Sequence, residues 1–269
     1  MAISALRAAA SGMAAMDTKL NVVANNLANI DTVGFKRSRV NFEDVLYDVR
    51  REPGAMNALS QETPYGILVG LGSQVSGTQL DFEYGAFDQT GKPYDLAIQG
   101  DGFFQVKTNY NGQEITAYTR AGNFTKNREG QVVLANSEGS PMEPPLQIPA
   151  DASDPTFSSD GKVSVRQPGA TTLTQVGQVQ LSRFVNPEGL LQIGKNLYIE
   201  TDASGPPVQG NPQQNGLGEI KQSTLEQSNV DPVIELVDLI FTQRGFEINS
   251  QSIQAADRTL EVISRLGRF

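Results

Sequence analysis

The residues that could carry chemistry in this chain of 269 residues are few in kind, because it contains no His and no Cys. Thiolate and imidazole metal ligands, a nucleophile paired with a histidine base and imidazole proton transfer are therefore excluded. Carboxylates, lysines and tyrosines remain for catalysis. We expect a protein that is not an enzyme.

Two segments bear a partial likeness to ligand sites. Residues 100–104 read GDGFF but lack a G-x-G-x-x-G run, a following Lys and a following helix, so they predict a turn that leads into a strand. Asp151, Asp154 and Asp160 miss the spacing of a calcium loop and have no Glu at its end. Thirty carboxylates could include a glycosidase pair, but the sequence sets no distance between any two of them. We expect no metal and no cofactor.

Charge and composition limit the partners. The 30 acidic and 21 basic residues give a net charge of -9 without a Lys/Arg-rich run, which argues against nucleic acid. The sequence has no run of about 18 apolar residues, so it predicts no membrane-spanning helix. The absence of Cys fits both chance and export into an oxidising space. Ser4, Ser11 and Gly12 interrupt the apolar start, so we expect no cleaved signal peptide.

Apolar or small residues recur three or four positions apart at the start of the chain and predict a long, coiled-coil-like helix. Its seam consists of Ile3, Leu6, Ala10, Met13, Leu20, Ala24 and Leu27. A second row beside it consists of Ala9, Met16, Val23 and Ile30. Asn, Asp and Gly between positions 29 and 34 predict the end of this helix.

A second long helix is predicted at the end of the chain, where Asp231 is a capping residue and Pro232 suits the first helical position. Its seam consists of Ile234, Val237, Phe241, Ile248, Ala255, Val262 and Leu266, completed by the small residues Gly245, Ser252 and Thr259. Two long helices with matching seams should pair with each other.

Residues 8–16 and 248–256 contain no charge, so we expect neighbouring copies to cover the helix pair; the alternative is a single soluble hairpin. Asn21, Asn25 and Asn29 stand four apart and either hydrogen-bond across helices or form a solvated stripe. The predicted polymerisation interface consists of Ile3, Leu6, Met13, Leu20, Asn21, Asn25, Leu27, Asn29, Ile234, Val237, Phe241, Ile248, Val262 and Leu266.

The middle of the chain alternates apolar and polar residues in short runs, at 96–98, 104–106, 163–165, 179–181 and 197–199, which predict strands. Asp-Gly, Asn-Gly and Glu-Gly pairs separate them as turns. Residues 47–80 show little periodicity and predict an extended, ordered linker. We therefore predict an α+β protein: a discontinuous helical coiled-coil domain (1–30 plus 223–269), an extended linker or β-hairpin region (31–80) and an all-β domain (81–222).

Residues 25–36 (NNLANIDTVGFK) closely resemble the N-terminal signature of the bacterial flagellar rod and hook proteins. The likeness continues over nearly the whole chain, at residues 100–106, 118–124, 196–201, 225–231, 235–237, 243–249 and 256–257. Within the family, the length and residues 52–55 (EPGA) are most similar to the distal rod members.

The resemblance implies a structural subunit of the flagellar basal body that polymerises helically into the distal rod and transmits motor torque to the hook. A hook or proximal rod subunit is the alternative. The implied partners are copies of the chain, proximal rod proteins, the hook protein, the P-ring and L-ring proteins and the flagellar type III export apparatus. The implied location is the basal body, in the periplasm and through the outer envelope, reached without a cleaved signal peptide.

The resemblance also suggests roles for two sets of residues. The linker with Tyr47, Pro53, Gly54 and Pro64 would stiffen the rod. Phe42 followed four residues later by Leu46 fits an export-gate signal, although a purely structural role is equally compatible with so short a pattern.

Two rivals from other classes are a secreted carbohydrate-binding β protein with a helical stalk and a hydrolase with two carboxylates. Glycan binding without polymerisation would favour the first. Hydrolysis lost on a single Asp or Glu substitution would favour the second.

Overall fold

The computed structural model describes residues 2–54, 56, 62, 64–149, 151–167 and 172–266, without the side chains of residues 2–4, 153, 154, 264 and 266. It has a long helix at each end, α1 (Ala2–Ala28) and α2 (Pro232–Leu266), and strands between them, so the α+β class is confirmed. The strands are β1 (Ser38–Asp44), β2 (Tyr47–Arg51), β3 (Ile67–Gly70), β4 (Ser73–Leu80), β5 (Phe87–Gln89), β6 (Leu96–Gln99), β7 (Phe103–Tyr110), β8 (Gln113–Thr119), β9 (Phe124–Lys126), β10 (Val132–Leu134), β11 (Met142–Glu143), β12 (Ser153–Phe157), β13 (Lys162–Arg166), β14 (Leu173–Gln178), β15 (Leu181–Arg183), β16 (Leu191–Gly194), β17 (Leu197–Ile199), β18 (Val208–Gly210), β19 (Glu219–Gln222) and β20 (Thr224–Glu226).

The chain forms two compact units that we call the helical unit and the β unit. The helical unit comprises Met1–Ala28, Ser38–Leu80 and Asp231–Phe269, and the β unit comprises Asn29–Arg37 and Asp81–Val230. This division differs from the three regions predicted from the sequence. Residues 38–80 belong with the helices because β1 and β4 pack on α1, and residues 223–230 belong with the β unit because β20 pairs with β5.

Both helix boundaries follow from local sequence. The helix α1 ends at Ala28, before the predicted turn, in which Gly34 has a φ of 68°. At the start of α2 the Asp231 Oδ1 accepts hydrogen bonds from Val233 N at 2.8 Å and Ile234 N at 3.3 Å. These bonds satisfy two of the free amides of the first turn, as expected of a capping aspartate before Pro232.

The two helices pack against each other, but the large apolar residues of the seam predicted for α2 do not lie at this contact. Gly245, a small residue of that seam, lies against Met16, and Gly12 lies against Asn249, so the helices run antiparallel with close approach at glycines. The predicted seam residues Ile234, Phe241 and Ile248 are exposed instead. The prediction was wrong for these large residues because periodicity identifies an apolar face without saying which neighbour covers it.

The turn between β3 and β4 covers the small residues near the start of α1. Ser73 N donates to Ser11 Oγ at 3.3 Å, and a Cβ added to Gly72 would lie 1.9 Å from that oxygen. The uncharged segment 8–16 was expected to be covered by neighbouring copies. At Ala8 and Ser11 the cover comes from the same chain.

Residues 47–70 contain a two-stranded ribbon where the sequence predicted an extended linker. The strand β2 pairs antiparallel with β3, with Tyr47 opposite Gly70 and Val49 opposite Leu68. Beyond it, β1 pairs with β4 in a second two-stranded sheet. The prediction for residues 31–80 named a β-hairpin region as the alternative to a linker, but it did not give strand bounds because the alternation is short and is not reflected in burial.

The β unit is built around a seven-stranded sheet in the order β16-β17-β8-β7-β15-β18, with β11 also paired to β7. Asn111 and Gly112, with φ values of 51° and 81°, form the two-residue turn of the β7–β8 hairpin. One core of buried residues includes Ile98, Phe104, Val106 and Leu181. Four predicted strands lie inside β6, β7, β13 and β17, whereas the run at 179–181 becomes a strand only at Leu181.

Candidate assembly surface

The outward face of α2 is apolar between Val233 and Ile248 and again at Val262 and Ile263. Nine large apolar side chains on it are exposed by 45% to 69%: Val233, Ile234, Leu236, Val237, Ile240, Phe241, Ile248, Val262 and Ile263. Burying one such side chain fully is worth about 1.5–3 kcal/mol. The cluster of exposed apolar side chains between Val233 and Ile248 is typical of an interaction surface.

Most of the predicted interface residues of α2 lie on this outward face. Ile234, Val237, Phe241, Ile248 and Val262 belong to it. On α1 the predicted Leu6, Met13, Leu20 and Leu27 are half-buried, Asn21 and Asn25 are exposed, and Asn29 is half-buried beyond the helix end. The side chains of Ile3 and Leu266 lie outside the described residues.

A buried asparagine that the sequence reasoning missed joins three elements of the helical unit. Asn26 Nδ2 donates to Ser38 O at 2.8 Å and to Glu235 Oε2 at 3.2 Å, while Ser38 N donates to Asn26 Oδ1 at 3.0 Å. Asn26 lies three positions after the buried Val23, on the inner side of α1. That spacing was the available signal, but the regular Asn21, Asn25 and Asn29 series drew the prediction to the outer side.

The ribbon formed by β2 and β3 is a second exposed apolar surface. Every residue of β2 is exposed, and Tyr65 and Met56 are exposed by 79% and 71%. The predicted stiffening residues Tyr47, Pro53, Gly54 and Pro64 are all exposed there. An isolated two-stranded ribbon is only marginally stable in water, so this surface also needs cover.

The residues of the suggested export signal are accessible in the folded chain. Phe42 lies in β1 and is exposed by 41%, and Leu46 follows the strand and is exposed by 83%.

The β unit holds a buried cluster of charged side chains. Lys36 Nζ lies 2.6 Å from Glu226 Oε1 and donates to Glu83 O at 2.6 Å, and Arg120 Nη1 lies 3.7 Å from Glu226 Oε2. The Arg120 guanidinium lies 5.2 Å from the ring centre of Phe103. All three ionic side chains are at most 3% exposed. Burial lowers the pKa of Lys36 and of Arg120, and the charge of Glu226 opposes both shifts.

The described residues contain no group of three or more His, Cys, Asp or Glu side chains placed to hold a metal ion. Over the same part of the chain, neither helix combines the length and apolar character that a membrane crossing requires. The exposed apolar residues of α2 and of the β2–β3 ribbon therefore provide surface that a partner can bury.

Three family models match the chain. The model described as Flagella basal body rod protein matches residues 6–36, the Flagellar hook protein FlgE/F/G D1 domain matches residues 97–165, and the Flagellar basal body rod FlgEFG protein C-terminal matches residues 221–266.

Relatives extend this match over almost the whole chain. The Flagellar basal-body rod protein FlgG of Agrobacterium fabrum is 42% identical over 97% of this chain and 98% of its own length. Proteins of the same name are 42% identical in Caulobacter vibrioides (98% and 99%) and 38% identical in Borreliella burgdorferi (98% of each). The chain belongs to the flagellar basal-body rod protein family. Its relatives are structural rod proteins, and this chain is a structural protein and not an enzyme.

The residues of the charge cluster fall within the segments that the family models match. Lys36, Arg120 and Glu226 come one each from the three segments that the family models match. Gly34 also belongs here, because a Cβ on it would lie 2.6 Å from Ala121 N. In this chain, residues from all three matched segments therefore lie together in the interior of the β unit.

Proposed function

We propose that the chain is a structural subunit of the bacterial flagellar basal body that polymerises helically into the distal rod and transmits torque to the hook. The rod name of the three full-length relatives supports the place in the basal body. The single observation that supports polymerisation is the outward apolar face of α2. The hook and the proximal rod have no comparable observation in their favour.

Part of α2 turns large apolar side chains outward while polar side chains of the same helix are buried. Glu235 and Thr242 are almost fully buried, whereas Phe241 between them is exposed by 69%. A helix normally turns its apolar face to its neighbour. Only further copies of the chain would make this arrangement favourable, with the α2 face of one copy covered by another in a coiled-coil core. A contact between two different faces generates a helical polymer when the rotation between successive copies does not close a ring.

The interface would include the outward residues of α2 together with the half-buried and exposed residues predicted on α1. The exposed ribbon β2–β3 would lie between neighbouring copies and limit their sliding. The other partners would be proximal rod proteins, the hook protein, the P-ring and L-ring proteins and the export apparatus, which would recognise Phe42 and Leu46. The subunit would act in the periplasm and through the outer envelope after export without a cleaved signal peptide.

Replacing two outward residues of α2 with glutamine tests this function. In the double variant Phe241→Gln, Ile248→Gln we expect assembly of purified protein to be lost, because two large apolar contacts per subunit disappear. Sedimentation and negative-stain electron microscopy would measure polymer, and circular dichroism would verify that the monomer keeps its secondary structure. The matched control is Glu261→Gln, at an exposed polar position of the same helix. Polymers from the double variant at the control's yield would refute the proposal.

A further inference from the structure

The last two strands of the β unit, β19 and β20, each pair with a strand from its beginning. The strand β6 pairs with β19, with Ile98 opposite Ile220, and β5 pairs with β20, with Asp88 opposite Leu225. In the part of the chain that the structure describes, these are separate two-stranded sheets. Leu96 and Ile98 of β6 are fully buried, and the strand partner of this core strand, β19, comes from the end of the β unit, although Leu96 N also donates to Gly122 O at 2.9 Å.

The segment that contains β19 and β20, which we call the late segment, also carries the carboxylate of the charge cluster, that of Glu226. Without Glu226, the buried site would hold two cations, Lys36 and Arg120, and no carboxylate. An uncompensated buried charge costs far more than a surface charge. The site can therefore exclude water only once Glu226 is in place.

Backbone groups of two early segments, residues 34–37 and 81–86, form hydrogen bonds with residues 226–229. Gly34 N donates to Glu226 O at 2.8 Å, and Gln227 N donates to Ala86 O at 2.8 Å. Asn229 Oδ1 accepts from Arg37 N at 2.7 Å, and its Nδ2 donates to Asp81 O at 2.9 Å. Buried backbone groups need such partners, so residues 226–229 tie down both early segments at once.

We propose that Glu226 closes the β unit in a late, separate step, which joins β5, β6, β19 and β20 after the β7–β8 hairpin and the sheet around it have formed. A chain that emerges N-terminus first then keeps these four strands open until about residue 229 has followed. The usefulness of the delay rests on the proposed export of a rod subunit, because an open chain is easier to thread through a channel. The closing step itself is a property of the fold.

Native-state hydrogen exchange on the full-length monomer tests the order of closing. The element that closes last opens first under native conditions. With rising denaturant we expect the amides of β5, β6, β19 and β20 to exchange together, before those of β7 and β8. Exchange of all six strands through one opening would refute a separate step.

The variant Glu226→Gln tests the closing residue, since it keeps the size of the side chain and removes the charge. Exchange of the four late-closing strands should accelerate by on the order of a hundredfold, the scale for breaking a buried ion pair, while β7 and β8 keep their rates. The matched control is Glu247→Gln, which removes a carboxylate 3.1 Å from Arg244 Nη1 at an exposed pair of α2 and should leave all rates unchanged.

Three results with this variant would overturn the proposal: no change in exchange, equal acceleration of β7 and β8, or a chain that no longer folds. The last result would make Glu226 part of global folding, not of a closing step. The measurement is independent of assembly, so loss of polymerisation in α2 variants and failure of the closing step can be told apart.

Discussion

At the scale of single residues, one buried amide distinguishes the inner side of α1 from the outer side. Asn26 is 1% exposed and satisfies both backbone groups of Ser38, while Asn21 faces solvent. An asparagine is a weak helix former, and its position here is explained by these bonds. Local spacing showed four asparagines in this part of α1 and its end, but only the tertiary contacts show which of them is structural.

The variant Asn26→Ala should destabilise the helical unit by about 2 kcal/mol. It leaves Ser38 N and Ser38 O without their side-chain partner and removes a donor from the buried Glu235 carboxylate, and each buried polar group left unsatisfied has a substantial cost. Urea unfolding followed by the helical circular dichroism signal would measure the change. The control Asn21→Ala, at an exposed position, should stay within about 0.5 kcal/mol of the parent. Equal stabilities for the two variants would contradict the role of Asn26.

At the scale of elements, the sequence predicted what depends on neighbours along the chain. The Asp231 cap, Pro232 at the first position of α2 and the Asn111-Gly112 turn are local signals, and the structure has each of them. The partner of an apolar face is decided by distant residues, and this is where the prediction was wrong for α2. The charge cluster was beyond sequence reasoning for the same reason, since Lys36 and Glu226 are 190 positions apart.

The close contact between the β3–β4 turn and α1 predicts a strong effect at one glycine. Gly72 has a φ of 118°, and a Cβ there would lie 1.9 Å from Ser11 Oγ. The variant Gly72→Ala should therefore lose about 2 kcal/mol of stability through backbone strain and displacement of the turn from α1. The control Gly77→Ala in β4 meets nothing within 4 Å and should change stability by less than about 1 kcal/mol. Thermal unfolding of the two variants side by side would decide, and similar losses would argue against a tight turn.

At the scale of the whole molecule, the two units differ in what their centres contain. The helical unit exposes apolar residues of α2 and the β2–β3 ribbon, whereas the β unit encloses an aromatic cluster and an ionic cluster, although Tyr84, Phe87 and Tyr110 are exposed. Phe103, for example, is 3% exposed and packs edge-on against Phe82 and Phe184, with ring centres 5.4 Å and 5.8 Å apart. We therefore expect assembly to depend on the helical unit, and we expect the β unit to keep its fold whether or not neighbours are present.

Removal of the ribbon tests whether it stiffens the polymer. Asp44 lies opposite Ser73, and Val45 N donates to Gly72 O at 3.0 Å, so the chain already lies close on either side of the ribbon. Deletion of residues 47–70 therefore joins Leu46 to Leu71 in a short turn and removes both strands of the ribbon, whereas deletion of β2 alone would leave β3 without its partner. The outward face of α2 is unchanged, so we expect polymers to form. They should bend more than the parent, because the exposed apolar ribbon no longer fills the space between copies.

Persistence length measured from electron micrographs would quantify the bending. The deletion keeps Phe42 and Leu46, so the secreted amount should match the parent, whereas Phe42→Ala with the ribbon intact should secrete less if Phe42 is read by the export apparatus. Measuring both variants separates the two roles, because one changes stiffness at constant export and the other changes export at constant stiffness. Straight, rigid tubes from the deletion would refute the stiffening role, and normal secretion of Phe42→Ala would refute the export role.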